Sequence, residues 1–289
     1  MFTIKSNILT VSVQSKGAEL QSIFHTANGL EYLWNADPAY WAKKSPILFP
    51  IVGELKEGTY YYKEQPYHLL RHGFARDKEF EVTAQSESSI TFTLRSTEAT
   101  LQVYPFPFDL QVVYTVNNDL LTVDYIVKNT GDDQMYFSVG GHPAFKVPLT
   151  DDTSYNDYYL HFNQTEQAGR WPISKSGLIQ HEPVPFLEGT QVLPLTKDLF
   201  KEDALVFKHL QSDAVTLSSA KTTHGLTFTF AGFPYLGIWA APNADFVCIE
   251  PWCGIADSVN SDQQLAHKEG IIPLPPADVF KVSWSAYFY

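Results

Sequence analysis

Three segments of the chain gather ionisable side chains beside glycine or proline. They are Leu70-Arg71-His72-Gly73-Phe74-Ala75-Arg76-Asp77, Val139-Gly140-Gly141-His142-Pro143-Ala144-Phe145 and Val247-Cys248-Ile249-Glu250-Pro251-Trp252-Cys253-Gly254. At such points the backbone leaves a regular strand, and loops at strand ends are where rigid scaffolds carry function. Glu250 ends the apolar run Phe246-Val247-Cys248-Ile249. A carboxylate there is expected to be partly desolvated, which tunes it for proton transfer and which few structural roles explain. His142 sits in a constrained turn between Gly141 and Pro143, and His72 lies between Arg71 and Arg76. Each histidine has a structural reading, a ring bonded to backbone, beside the functional one. Positive neighbours should keep His72 neutral, which suits hydrogen bonding or acid–base work.

Around this trio stand residues that can hold a polyhydroxylated or anionic ligand. Arg71 and Arg76 suit hydroxyls or a phosphate, although Arg76 can also pair with Asp77. Asp203 can accept hydrogen bonds from hydroxyls or be a solvated turn acid. Trp252 can stack on a sugar face or pack on the sheet, and Trp34 and Trp41 are read as core or rim packing. Lys43 and Lys44 read as a solvated helix end. The chain has no G-x-G-x-x-G, P-loop, H-E-x-x-H or G-x-S-x-G pattern. Nucleotide cofactors, zinc hydrolysis and a serine-hydrolase elbow therefore lack support, and no metal or cofactor is expected.

The elements that must position these residues are strands. Leu9, Val11 and Val13 alternate with polar residues, as do Ile90, Phe92 and Leu94. Leu110, Val112, Tyr114 and Val116 alternate, turn at Asn117-Asn118-Asp119, and return through Leu121, Val123, Tyr125 and Val127. That is a hairpin with its own turn chemistry. Leu226, Phe228 and Phe230, and the run Phe280, Val282, Trp284, Ala286 and Phe288, repeat the pattern. Such alternation fits antiparallel sheets with one face on a core. A short helix is expected over Pro38 to Lys44 with Asp37 as its N-cap. Residues 165–200, rich in Pro, Gly and polar side chains, read as long loops. With no linker or charge block, residues 1–289 form one domain, an all-β antiparallel sandwich.

A net charge of −12 argues against nucleic acid and anionic membrane surfaces as partners. The N-terminal residues lack the apolar run of a signal peptide, and no stretch approaches a membrane span. Cys248 and Cys253, the two cysteines, read as reduced thiols in a cytoplasmic protein.

These segments, together with Ser45-Pro46-Ile47-Leu48-Phe49-Pro50-Ile51-Val52-Gly53 and Asp203-Ala204-Leu205-Val206-Phe207-Lys208, resemble the aldose 1-epimerase superfamily. The likeness is to its bacterial mutarotase-related branch of the LacX type, and the ordered set spans essentially the whole chain. The resemblance implies a galactose mutarotase-like β-supersandwich and a cofactor-independent isomerase that interconverts the α and β anomers of an aldose. It implies Glu250 as base, His142 as acid and His72 as a second active-site histidine, with Asp203 and Arg76 holding the sugar. The family often carries an Arg just before the segment that begins at Ser45; Ala42-Lys43-Lys44 stands there instead. The other readings are a non-catalytic sugar-binding protein of the same fold, a hexose-6-phosphate epimerase, and a glycosidase or lyase. The last would need a second carboxylate, for which Asp203 is the evident candidate. A neutral aldose is expected over a phosphorylated one.

Overall fold

A computed structural model describes all residues 1–289. The alternating segments assemble into a nine-stranded antiparallel sheet. Its order is Val184–Pro194, Tyr158–Arg170, Ala214–Ser219, Thr222–Thr229, Val279–Phe288, Leu120–Asn129, Phe108–Asn117, Ser89–Arg95, Glu81–Gln85. The expected hairpin is present: Phe108–Asn117 pairs with Leu120–Asn129 from Phe108↔Asn129 to Asn117↔Leu120. Asn118 takes a left-handed conformation (φ 51°) in the tight loop, as such hairpin turns require. Phe108, Leu110, Val112, Tyr114 and Val116 on one strand and Leu121, Val123, Tyr125 and Val127 on the other are buried, and the residues between them are not.

A six-stranded sheet packs against this large one. It runs Leu205–Lys208, Tyr235–Trp239, Phe246–Cys253, Val139–Gly141, Ile47–Leu48, with Ala144–Lys146 also pairing to Phe246–Cys253. Inward residues of the large sheet join Ile47, Phe145 and Ile249 from the smaller one in one cluster of 71 buried residues. One contiguous core of this kind makes a single domain. Phe246–Cys253 is buried at every position. It lies inside the small sheet with a partner on each side, which explains the continuous apolar run from Phe246 to Ile249. A four-stranded sheet of Phe2–Lys5, Leu9–Val13, Leu20–His25 and Leu30–Glu31 completes the main layers. Cys248 and Cys253 are buried free thiols, and no helix is long and apolar enough to cross a membrane.

Two expectations fail. Pro38 to Lys44 makes a turn and no helix. Asp37 does cap the Ala39 N–H (2.9 Å). The helix is then lost to competing partners: the Trp34 indole N–H takes the Trp41 carbonyl (2.9 Å), and the buried Glu19 carboxylate takes the Lys44 and Ser45 N–H groups (2.8 and 3.0 Å). Tertiary partners outbid a weak local propensity. Residues 165–200 hold much of two long strands, Tyr158–Arg170 and Val184–Pro194. They form the exposed end of the large sheet, with register shifts after His161, Glu166 and Ala168. An edge strand with little to bury, interrupted by bulges, shows no alternation to read.

Candidate active site

The register of the small sheet builds the centre of the site. Gly140 pairs with Trp252, and Ala144 pairs with Cys248. His142 and Pro143 form the break between these two ladders, and the pairing on either side brings His142 opposite Glu250. The His142 Nε2 lies 3.2 Å from the Glu250 Oε2. Both side chains are almost wholly buried, at 8% and 2% exposure. The structure thus places the expected acid and base in direct contact.

Their electrostatics follow from this burial. Desolvation, then the charge of Asp203, raises the Glu250 carboxyl well above the usual carboxylate range. Desolvation pushes His142 down to about 3, and Arg76 adds to the fall. Both charged forms are disfavoured, so the pair titrates as a unit. The pair Glu250-COOH with neutral imidazole holds the same number of protons as carboxylate with imidazolium. It therefore keeps one mobile proton from about pH 3 up to the raised value of Glu250.

His72 reaches the site through an unusual backbone. His72 (φ 68°) and Gly73 (φ 69°) are successive left-handed residues. A Cβ on Gly73 would lie 2.3 Å from the Phe49 carbonyl oxygen, so this approach tolerates only glycine. The His72 Nδ1 accepts the Gly53 N–H at 3.1 Å. In the neutral ring the proton must then sit on Nε2. Burial first, then His142, Arg76 and Arg71, hold His72 well below its ordinary value. The neutral state expected from neighbouring arginines is present, with burial as the larger cause.

A cavity of about 530 Å³ opens over these groups. Its lining includes all seven candidates from the sequence, Glu250, His142, His72, Arg76, Asp203, Arg71 and Trp252. Lys43 and Lys44 are not in its wall. Lys43 lies 3.6 Å from Asp77, and the Lys44 ammonium donates to the Gln21 carbonyl (2.7 Å). Arg76 donates to the Arg71 carbonyl (2.9 Å) and also sits 3.6 Å from Asp77. Arg71, at the exposed rim, pairs with Glu54 at 3.2 Å. Asp203 (φ 106°) folds its carboxylate back onto the Ala204 N–H (2.7 Å). Trp252 is 6% exposed, and a Cβ on Gly237 would lie 2.4 Å from its ring. It packs on the sheet and offers the cavity little of its face.

The aromatic walls were misassigned. Trp41, read as packing, lines the cavity together with Trp239. Trp41 stacks on the His142 ring (centroids 5.0 Å, 27°), and Trp239 meets the same ring edge-on (5.8 Å, 79°). Glu54, Ile173, Gly177, Ile179, Phe200 and Lys201 complete much of the rim. They come from loops with no chemical motif, and nothing in their local sequence marks them.

One group of side chains has the composition of a metal site. His142, Cys248 and Glu250 hold ligand atoms within 4.8 Å of one another. Burial, with Glu250 beside it, drives the Cys248 thiol well above its ordinary value. The thiolate that a soft cation needs is thus strongly disfavoured, and these residues fit proton transfer better than metal capture.

Comparison with known proteins finds relatives along nearly the whole chain. The sequence model of the family described as aldose 1-epimerase matches residues 1–271. The plasmid and chromosomal LacX proteins of Lactococcus lactis are each 37% identical over 97% of both chains. A galactose mutarotase related enzyme from Lactobacillus acidophilus superposes with a TM-score of 0.95 at 36% identity, covering 100% of this chain and 97% of its own. A galactose mutarotase-like protein from Lactobacillus casei gives 0.92 at 32% identity, with full coverage of both.

Proposed function

We propose that this chain, which belongs to the aldose 1-epimerase family, interconverts the α and β anomers of a neutral aldose by acid–base ring opening. The observation that carries this reading is the buried contact between His142 and Glu250, 3.2 Å apart on the floor of a cavity lined by polar groups. The anomeric oxygen O1 and the ring oxygen O5 share one carbon. A pyranose seated over the pair can therefore reach both groups at once. Glu250, as carboxylate, takes the proton from O1, and His142, as imidazolium, protonates O5. The C1–O5 bond breaks to give the aldehyde, the C1–C2 bond rotates, and closure on the other face returns both protons. This sequence needs the one mobile proton that the pair holds, and its bond changes call for neither a metal nor a redox cofactor. Each positioned group contributes on the order of 10²–10⁴ in rate.

The remaining contacts have simpler work. His72 donates from Nε2 to a sugar oxygen, Arg76 and Asp203 bind ring hydroxyls, and Trp41 and Trp239 hold His142 and shield it from water. Glu250 faces an imidazole where a glycosidase would set a second carboxylate. The test is exchange NMR of anomer interconversion across free and phosphorylated aldoses, with and without a chelator. Acceleration of a free aldose that survives chelation supports the proposal. Saturable sugar binding with no acceleration for any sugar would replace it with a binding protein.

A further inference from the structure

Behind the cavity wall lies a buried ion pair that the proposed chemistry does not use. The Lys268 Nζ lies 2.7 Å from the Asp257 Oδ1, and both side chains are only 3% exposed. Neither residue lines the cavity. A pair this deep is weak evidence for stability, because desolvating both charges offsets most of their attraction. Its placement suggests another role.

Asp257 ties three stretches of chain together. Its Oδ2 accepts the Lys56 N–H at 2.9 Å. Its own N–H donates to the Glu54 carbonyl (2.8 Å), and its carbonyl accepts the Ile179 N–H (2.9 Å). Glu54 and Ile179 are both cavity residues. Gly53, next to Glu54, is the residue whose N–H holds His72 Nδ1 at 3.1 Å. The Gly53 carbonyl accepts the His72 N–H (2.9 Å), so the two residues are joined twice. Gly53 has no freedom to drift: at φ +74° it is so close to Ala256 that a Cβ would lie 2.4 Å from the Ala256 Cβ. Ala256 is the residue before Asp257. An unbroken run of short contacts thus leads from Lys268 through Asp257 and Gly53 to the His72 ring.

We propose that Asp257 and Lys268 are positioning residues for His72: together they fix the Gly53–Lys56 loop so that the Gly53 N–H holds the imidazole as the Nε2–H tautomer, aimed at the substrate. The kinetic part rests on the donor role proposed for His72; the tautomer part stands without it. Displacing a reacting group by a small distance costs up to about 10²-fold in rate, so the pair can matter without touching the sugar.

The test is Asp257→Asn, which keeps an acceptor for the Lys56 N–H and removes the charge facing Lys268. Long-range ¹H–¹⁵N correlation of the His72 ring reports the tautomer directly. The expected result is a folded variant whose His72 nitrogen signals move toward a mixture of tautomers, with kcat lowered about 10- to 10²-fold and KM changed far less. In a His72→Ala background the further loss from Asp257→Asn should shrink to about twofold, since the two changes act through one group. Lys268→Met is the second variant should Asp257→Asn not fold, and Lys268→Arg should restore the parent signals. Unchanged His72 signals in folded Asp257→Asn or Lys268→Met overturn the proposal. So do losses in kcat that multiply fully in the His72→Ala background. If the parent accelerates no sugar, the proposed epimerase function falls, while the tautomer measurement still decides the role of the pair.

Discussion

The His142 Nε2 and the Glu250 Oε2 stand 3.2 Å apart because the strand carrying Glu250 pairs with the chain on both sides of His142. Two groups in such contact, both stripped of water, share protons.

Glu250→Gln keeps the shape of a group that burial already holds toward its neutral form. Folding should survive, with a melting temperature near that of the parent. Anomer exchange measured by NMR should fall by about 10²-fold or more, the typical contribution of a positioned base. Retention of near-parental exchange removes Glu250 from proton transfer.

His142→Asn leaves a polar group facing Glu250 but no second site for the proton. Turnover should drop on the order of 10²-fold. His72→Asn should cost less than His142→Asn and fall on kcat more than on KM, because His72 orients the substrate and transfers no proton in this scheme. Equal and small losses at both positions would point to structural roles.

When chemistry limits the rate, the pH–rate profile should be a plateau whose acid limb lies near pH 3 and whose alkaline limb lies above the ordinary carboxylate range. Burial lowers His142 to about 3 and raises Glu250 above the carboxylate range. Below that window the pair carries two protons and has no base; above it the pair carries none and has no acid. Activity should therefore fall toward pH 3 and again on the alkaline side. An acid limb near 6.5, the ordinary histidine value, would contradict the desolvated pair.

Trp41 stacks on His142 and keeps water from it. Trp41→Ala should hydrate the ring and let its pKa rise toward the ordinary value. The acid limb of the profile should then move to higher pH, and KM should increase. An unmoved acid limb would mean that burial by the core alone sets the His142 value.

The cations near the cavity are already engaged: Arg71 with Glu54, Arg76 with Asp77 and the Arg71 carbonyl, Lys201 with Asp198. A phosphate would compete with the Glu54, Asp77 and Asp198 carboxylates for these cations. The free aldose should have the higher kcat/KM in a comparison of galactose and glucose with their 6-phosphates. A preference for a 6-phosphate by more than about tenfold, ~1.4 kcal/mol of transition-state binding, that salt erodes would show a phosphate clamp.

What the sequence disclosed and what it withheld divide along physical lines. Half-buried strands such as Phe108–Asn117 write their faces into the residue order, and so were legible. Glu250, His142 and His72 were legible because ionisable groups beside Gly or Pro interrupt that order. Trp41 was not, since an aromatic on a cavity wall has the same local signature as one in a core. The turn at Pro38 to Lys44 depends on Glu19 and Trp34, partners no local window contains. The edge strand Val184–Pro194 buries too little to alternate. The contact between His142 and Glu250 joins residues more than a hundred positions apart, and only the register of the sheet brings it about.

That register has an evolutionary consequence. The His142–Glu250 pair is spaced by backbone pairing inside a buried sheet, whereas Ile173, Gly177, Phe200 and Lys201 reach the cavity from connecting loops. Insertions or exchanges in those loops can reshape the mouth without altering the distance between imidazole and carboxyl. Selection for a new sugar and preservation of the old chemistry thus act on separate parts of the chain, and a catalyst on this plan can change its diet without relearning its reaction.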